Sequence, residues 1–152
     1  MYKNILVPHA GTGAGDQALK HAMVIAKGSN AKITILHVVE DIPIPLSLAY
    51  FERKKLADGF TQLRNEMKNE MYKQLDAKAA DLVKQGVEVD TVVVYGSPDE
   101  EIARITATQK IDLIVMAKRR KMKGIMGVLK LGSVSRKILE RVSCPLLLID
   151  GE

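Results

Sequence analysis

Short apolar runs alternate along the chain with segments in which apolar residues recur at helical spacing. The runs fall at residues 5–8, 32–39, 87–96, 111–116 and 143–149. Nearly continuous apolar runs of this length are typical of strands that are covered on both faces of a parallel sheet. The intervening segments supply the helices that such a sheet needs as crossovers, so the pattern predicts an α/β fold.

The first two helical segments have clear faces and candidate ends. Asp16 is expected to cap the first helix, and Gly28 is expected to end it. Residues 46–86 form a long, charged helical pattern, either one helix or two, with Gly59 as the weak point. The predicted buried stripe of this segment, methionines included, is Leu63, Met67, Met71, Leu75, Ala79 and Leu82.

Two further helices complete the pattern. Ser97 and Glu100 predict a capping box with Pro98 in the first helical position, so a helix is expected over 98–110. A fourth helix is expected over 134–141. Five strands with these helices predict one domain, residues 1–152, built as an open, doubly wound, five-stranded parallel sheet of the Rossmann-like kind with helices on both faces.

Ligands of such sheets bind beyond the carboxyl ends of the strands, where the strand order reverses. This rule brings the loop after residues 5–8, the end of the second strand at Val38 and the loop after Met116 toward one crevice. His37, inside the second strand, is expected to be a hydrogen-bonded packing residue.

Composition limits the class of protein. The 152 residues are 47% hydrophobic and 27% charged, which is typical of a globular domain, and no apolar run is long enough to span a membrane. The amino-terminal sequence leads directly into a strand pattern without a signal peptide, so a cytoplasmic protein is expected. Cys144 is the single cysteine and is expected to be a buried structural thiol.

Positive charge is concentrated late in the chain. The formal net charge is +5, and the stretch between Leu113 and Leu139 contains Lys and Arg residues but no Asp or Glu. Gly132 and Ser133 then precede a helix, whose first amide groups lack partners within the helix and attract phosphate. The hydroxyls of Ser133 and Ser135 either cap this helix or donate to a phosphate, and both alternatives remain open.

Three motifs give the chain a family resemblance over essentially its whole length. KNILVPHAGT at 3–12, GSPDEEI at 96–102 and GSVSRKILERVSCPLLLI at 132–149 resemble segments of single-domain universal stress proteins. The resemblance implies the adenine nucleotide alpha hydrolase-like variant of the fold and a role in stress-response signalling. It also implies a homodimer and bound ATP or AMP, with Mg²⁺ accompanying ATP, and at most slow ATP hydrolysis rather than dedicated catalysis.

The nucleotide motif of the family is only half kept. Nucleotide-binding members have Gly, two residues, Gly, nine residues, then Gly-Ser or Gly-Thr, and only Gly132 and Ser133 match. Ala117 stands at the first glycine, and the second falls on Met122 or, counted forward with a longer loop, on Arg120. Ala10 stands where nucleotide binders have Asp.

The candidate site follows from the crevice and the resemblance together. Val38 and Met116 are expected to line the base pocket, and the last four residues of the set are expected to hold phosphates. No catalytic residue or metal ligand is predicted, and His9 is the one candidate general base near the crevice. The full candidate set is Pro8, His9, Ala10, Thr12, Val38, Met116, Ala117, Lys118, Arg120, Gly132, Ser133, Val134 and Ser135.

Two other functions compete with nucleotide binding. Ala10 and Ala117 favour a family member that has lost the nucleotide and acts as a dimeric scaffold for an unknown protein partner. Nucleic acid is a weaker alternative, because no aromatic residue after Tyr95 provides a stacking platform beside the basic residues 118–123. In each case the last strand, 145–149, is expected at a sheet edge where it pairs with its twin in a homodimer.

Overall fold

Five parallel strands form one sheet in the computed structural model, which describes residues 1–118 and 133–150. The strands lie in the order β3-β2-β1-β4-β5, and all neighbouring pairs are parallel. The predicted doubly wound α/β class is therefore confirmed. The elements in chain order are β1 (Asn4–Pro8), α1 (Gly13–Ser29), β2 (Lys32–Val39), α2 (Tyr50–Lys84), β3 (Val89–Tyr95), α3 (Pro98–Thr108), β4 (Leu113–Ala117), α4 (Ser133–Arg141) and β5 (Leu146–Ile149).

Two apolar layers hold the helices to the two faces of the sheet. One layer joins α1 and α2 to residues such as Val7 and Ile35, and the other joins α3 and α4 to residues such as Leu6 and Ile114. Adjacent strand residues point to opposite faces, so Leu6 and Val7 enter different layers. Both are fully buried, which is why β1 reads as a continuous apolar run.

The ends of α1 differ from the predicted ones. Thr12 is the N-cap, with an extended backbone and a side-chain oxygen that accepts from the amide of Gly15, whereas Asp16 lies in the first turn. Gly28 lies inside the helix, and the C-cap is Asn30 in the left-handed conformation with φ of 53°. Asn is one of the few residues other than Gly that tolerates this conformation, so it ends the helix here.

Helix α2 is continuous through Gly59, so the segment forms one helix of 35 residues. Its length is about 52 Å at 1.5 Å per residue, roughly twice that of the neighbouring strands. Its buried residues are Leu75, Ala79 and Leu82, all near the carboxyl end. Leu63 and Met67 are 42% and 43% exposed, so the prediction that they belong to the core is wrong.

The start of α3 also departs from the prediction. Ser97 is the N-cap and Pro98 opens the helix, but the Ser97 hydroxyl donates to the carboxylate of Asp99 at 2.7 Å instead of forming a capping box with Glu100. This hydrogen bond holds the pKa of Asp99 below its ordinary value. The helix ends at Thr108 because Lys110 takes a left-handed φ of 51°.

Cys144 and His37 occupy structural positions. Cys144 is partly buried against the layer of α3 and α4, and burial raises the pKa of its thiol. His37 donates from Nδ1 to the carbonyl of His9 at 2.8 Å, which confirms its expected packing role. Within the described residues, no helix is both long and apolar enough to cross a membrane.

A crevice at the carboxyl edge of the sheet

The strand order reverses direction between β1 and β4. From β1 the chain turns into α1 on one face of the sheet, whereas the helix that follows β4 in the chain order, α4, lies on the other face. Connections that leave neighbouring strands to opposite faces open a crevice at their carboxyl ends, which is where open α/β sheets bind ligands. The described candidate residues lie at or next to this edge.

Strand registers bring the predicted residues of three strands to one level. Pro8 lies opposite Leu36 of β2, two residues before Val38, and Leu6 lies opposite Ile114 of β4, two residues before Met116. Met116 is buried, and Val38 packs against the same apolar layer. The carboxyl ends of β1, β2 and β4 therefore form an apolar floor for the crevice.

The turn after β1 forms one wall of the crevice. Ala10 is exposed, Gly11 has a φ of +78°, and Thr12 uses its side-chain oxygen to cap α1. A Cβ added at Gly11 would lie 3.3 Å from Cε of Met71, so α2 borders this turn. The left-handed φ and this close neighbour together require glycine at position 11.

The side chain of His9 is committed to holding the turn. Its Nδ1 accepts from the amide of Gly11 at 3.0 Å, and its Nε2 donates to Oδ1 of Asp16 at 2.9 Å, so the ring is the neutral Nε2–H tautomer. Burial lowers the pKa of His9 below its ordinary value and so supports this assignment. Both ring nitrogens are occupied and the side chain is fully buried, so the imidazole of His9 is not available to a ligand.

A glycine and two charged residues complete this arrangement. The ring of His9 lies against Gly15, where an added Cβ would be 2.9 Å from three ring atoms. Lys78 of α2 reaches Oδ1 of Asp16 at 2.7 Å. Burial opposes ionisation of Asp16, but the hydrogen bonds from Lys78 and His9 outweigh it and hold the pKa of Asp16 below its ordinary value.

These supporting residues were not predicted from the sequence, which indicates Asp16 as a helix cap and Gly15 as part of a glycine-rich turn. The only local signal is that Gly15 and Asp16 come one turn into α1, close enough along the chain to reach His9. Lys78 gives no signal, because only the packing of α2 beside α1 brings it to Asp16.

The other wall begins at the end of β4. The amide of Lys118 donates to the carbonyl of Ile149 at 2.7 Å, and its Nζ lies 3.4 Å from Oδ1 of Asp150. This contact partly neutralises Lys118, which belongs to the candidate nucleotide-binding set. Ala117 is the last residue of β4 and is half-buried.

Helix α4 starts on the same side of the sheet, because it leads from the carboxyl end of β4 to the amino end of the parallel strand β5. Ser133, its first residue, is exposed, Val134 packs against the apolar layer, and Ser135 is only 3% exposed. Of the two serine hydroxyls, that of Ser133 is therefore more accessible to solvent than that of Ser135. The predictions for Arg120, Met122 and Gly132 lie outside the described residues.

The crevice offers no cluster of metal ligands from the described chain. Across residues 1–118 and 133–150, no group of three His, Cys, Asp or Glu side chains is arranged to hold a metal ion.

Comparison with known proteins gives one consistent family. A model of the universal stress protein family matches residues 1–150. The universal stress protein YxiE of Bacillus subtilis is 30% identical over 155 residues, covering 98% of this chain and 99% of YxiE. The solved structure of protein MJ0577, a universal stress protein of Methanocaldococcus jannaschii, is 25% identical and superposes with a TM-score of 0.80 over 100% of this chain and 98% of its own.

More distant structures share the fold and include nucleotide complexes. A universal stress protein in complex with cAMP is 22% identical, with a TM-score of 0.69 over 99% of this chain and 98% of its own. The universal stress protein of Archaeoglobus fulgidus in complex with dAMP is 16% identical, with a TM-score of 0.61 over 99% of this chain and 98% of its own.

Proposed function

Because the chain belongs to the universal stress protein family, we propose that it binds an adenine nucleotide, ATP or AMP, in the crevice at the carboxyl edge of the sheet. Relatives of the same fold are complexed with cAMP and dAMP. The observation that supports the proposal most directly is the β1–β4 switch point, with the amino terminus of α4 beginning at the same edge. The protein is proposed to act in the cytoplasm in a stress response.

The base and the phosphates would meet different walls of the crevice. Val38 and Met116 provide apolar contact for the base, while Ser133 and the first amides of α4 provide donors for phosphate. Ala10 offers no side-chain acceptor, so a polar contact to the nucleotide is lost. We therefore expect weaker affinity than in a relative that carries Asp at this position.

Calorimetric titration with ATP and with AMP tests the proposal. Ser133→Ala removes one hydroxyl donor to a charged phosphate and should weaken binding about tenfold or more, since such hydrogen bonds contribute about 1.5–3 kcal/mol. Ser143→Ala is the matched control, because Ser143 is also exposed but follows the opposite end of α4. No heat with any adenine nucleotide would rule out the proposed function.

A gain of affinity provides an independent test at the turn after β1. Ala10 is exposed, so Ala10→Asp should be tolerated and should restore an acceptor for the nucleotide. We expect ATP binding to strengthen by about 3-fold to 10-fold, the effect of one ordinary hydrogen bond. Ala14→Asp, at a half-buried position in the first turn of α1, controls for added negative charge near the turn.

Catalysis is proposed to be slow or absent. The imidazole of His9, beside the crevice, has both nitrogens in hydrogen bonds within the fold. Mg²⁺ would enter with ATP, held by phosphate oxygens and water. Release of ADP over hours, measured with Mg²⁺ present and absent, tests this, and turnover above about 1 s⁻¹, the range of ordinary enzymes, contradicts it.

A homodimer through residues 145–149 is proposed as the working assembly. In the described sheet β5 is an edge strand, and Leu147 is 37% exposed on it. Pairing of two such edges across a two-fold axis would cover this apolar surface. Sedimentation should show a dimer that Leu147→Lys dissociates, and a monomer at micromolar concentration of the unmodified chain would contradict the proposal.

The alternative function is a dimeric scaffold that binds no nucleotide and contacts a protein partner. Ala10 and Ala117 favour it, as does the contact between Lys118 and Asp150, which partly neutralises a cation otherwise available for phosphate. The two functions differ in a simple measurement. ATP at a concentration 100-fold above its dissociation constant stabilises a binder by about 2.7 kcal/mol, whereas a scaffold shows no shift in melting temperature.

A further inference from the structure

The first half of α2 extends beyond the sheet, and residues 50–70 are called here the α2 arm. The helix runs antiparallel to β3, since Tyr72 contacts Val93 while Asn65 contacts the hydroxyl of Tyr95, the last residue of β3. Residues before Asn65 therefore lie past the carboxyl end of β3. The described part of the sheet does not extend far enough to cover them.

The α2 arm nevertheless carries an apolar stripe. Leu56, Phe60, Leu63 and Met67 follow one another at spacings of four, three and four residues, the spacing of the contact positions in a two-helix coiled coil. Leu56, Leu63 and Met67 are 36%, 42% and 43% exposed. Phe60, between them, is half-buried, so three of the four side chains of the stripe are exposed over about three helical turns.

We propose that the α2 arm pairs with the α2 arm of a second copy of this chain, antiparallel and across a two-fold axis near residues 61 and 62. In this register Phe60 faces the partner's Leu63, and Leu56 faces the partner's Met67. Each apolar residue of the stripe then contacts an apolar residue of the partner. A single helix surface complementary to itself is what a two-fold contact requires.

Charges at the two ends of the stripe support the same register. Arg53 precedes Leu56 by three residues and Glu70 follows Met67 by three, so antiparallel pairing places Arg53 opposite the partner's Glu70 at both ends. Parallel pairing would instead place Arg against Arg and Glu against Glu. Glu52 and Lys73 lie beside the stripe and are both exposed, so Glu52 of one copy would also meet Lys73 of the other with opposite charge.

One further observation fits a close partner at this surface. Gly59 lies at the centre of the arm, where no heavy atom of the described residues is within 4 Å of an added Cβ, so a second helix can approach closely.

This contact is separate from the edge of β5 and from the nucleotide crevice. β5 is at the opposite end of the strand order from β3, against which α2 packs. Two distinct two-fold contacts on one chain build a closed assembly of at least four copies, or an open one if the axes do not close. The arm pairing can therefore be measured without nucleotide and with the β5 edge blocked by Leu147→Lys.

Charge reversal tests the proposed pairing by sedimentation in the Leu147→Lys background. Arg53→Glu and Glu70→Arg each replace two attractive pairs by repulsive ones, so each should weaken self-association by about tenfold or more. An equimolar mixture of the two variants should associate again, because the carboxylate introduced at position 53 of one copy then faces the guanidinium introduced at position 70 of the other. Asp58→Lys is the matched control, since Asp58 is exposed on the opposite side of the helix and should leave association unchanged.

Several outcomes overturn the pairing. A Leu147→Lys protein that remains monomeric at about 100 µM, well above the dissociation constants of specific contacts, contradicts it. So do single reversals that associate as well as the parent, or a mixture that associates no better than its components. Circular dichroism of each variant confirms that the helix is intact, so a loss of association cannot be mistaken for unfolding.

Discussion

Gly15 provides a sharp test of the packing beneath the turn after β1. Gly15→Ala would place a methyl group 2.9 Å from three atoms of the His9 ring, closer than carbon atoms approach in folded proteins. The ring has no simple way to move, because hydrogen bonds from Gly11 and to Asp16 hold its two nitrogens. Either the ring or the first turn of α1 must shift.

Two effects of opposite sign decide the magnitude. Added volume in a well-packed interior costs about 1–3 kcal/mol, whereas Gly to Ala within a helix gains about 0.5–1 kcal/mol. Because three ring atoms lie only 2.9 Å from the added methyl group, the cost belongs to the upper half of its range, about 2–3 kcal/mol, and we expect Gly15→Ala to lower the free energy of unfolding by about 1–2.5 kcal/mol. For a protein of this size the melting temperature should fall by roughly 2–10 °C.

Chemical denaturation with a double-mutant cycle isolates the cause. Gly28 in the same helix has no described heavy atom within 4 Å of an added Cβ, so Gly28→Ala should stabilise the protein or leave it unchanged. In a His9→Asn background the ring is gone, and Gly15→Ala should become neutral or stabilising, with a coupling energy of about 1–3 kcal/mol. If Gly15→Ala behaves like Gly28→Ala in the parent protein, the packing argument is refuted.

Three other predictions concern stability. Burial lowers the pKa of His9, so below pH of about 6.5 the unfolded chain binds a proton that the folded protein does not. The free energy of unfolding should therefore fall by up to about 1.4 kcal/mol for each unit by which the pH decreases. His9→Asn should flatten this slope. Tyr72→Phe should cost about 0.5–1.5 kcal/mol in urea denaturation, because the Tyr72 hydroxyl accepts from the amide of Val93 on an edge strand. Leu75→Ala should cost about 2–5 kcal/mol and Leu63→Ala less than about 1 kcal/mol at concentrations where the chain is monomeric, because Leu75 is fully buried and Leu63 is 42% exposed.

The strands were predictable because burial on both faces leaves a direct trace in the sequence. The bounds of β2 at Lys32–Val39 agree with the predicted ones. Helix ends were harder, because Thr12 and Asp16 are both good capping residues. The extended backbone at Thr12, which the sequence does not reveal, decides between them.

The long helix shows what periodicity leaves open. The spacing of apolar residues identifies one side of α2 but does not reveal where the neighbouring sheet ends. Leu75 and Leu82 meet the sheet and are buried, whereas Leu63, beyond the end of β3, and Met67, near that end, are exposed. An apolar stripe that continues beyond the sheet therefore either has no partner or forms a contact with another molecule. The charges at Arg53 and Glu70 favour a contact with another molecule.

The candidate site was predictable at the level of strand ends but not of side-chain direction. His9 follows β1 directly, so its place among the residues of the crevice could be predicted. Its ring instead fills the space left by Gly15, and its direction depends on a residue six positions later and on Lys78 from another helix. Such long-range contacts leave no local pattern.

The arrangement around His9 bears on how the crevice would bind its ligand. The turn keeps its shape through hydrogen bonds among His9, Gly11 and Asp16, with Lys78 on the outside, and none of these requires a ligand. A nucleotide would then meet a preformed wall and would not have to order it, which limits the entropic cost of binding. The lost acceptor at Ala10 should therefore reduce affinity through one missing contact, and Ala10→Asp should strengthen ATP binding while leaving the melting temperature of the ligand-free protein nearly unchanged.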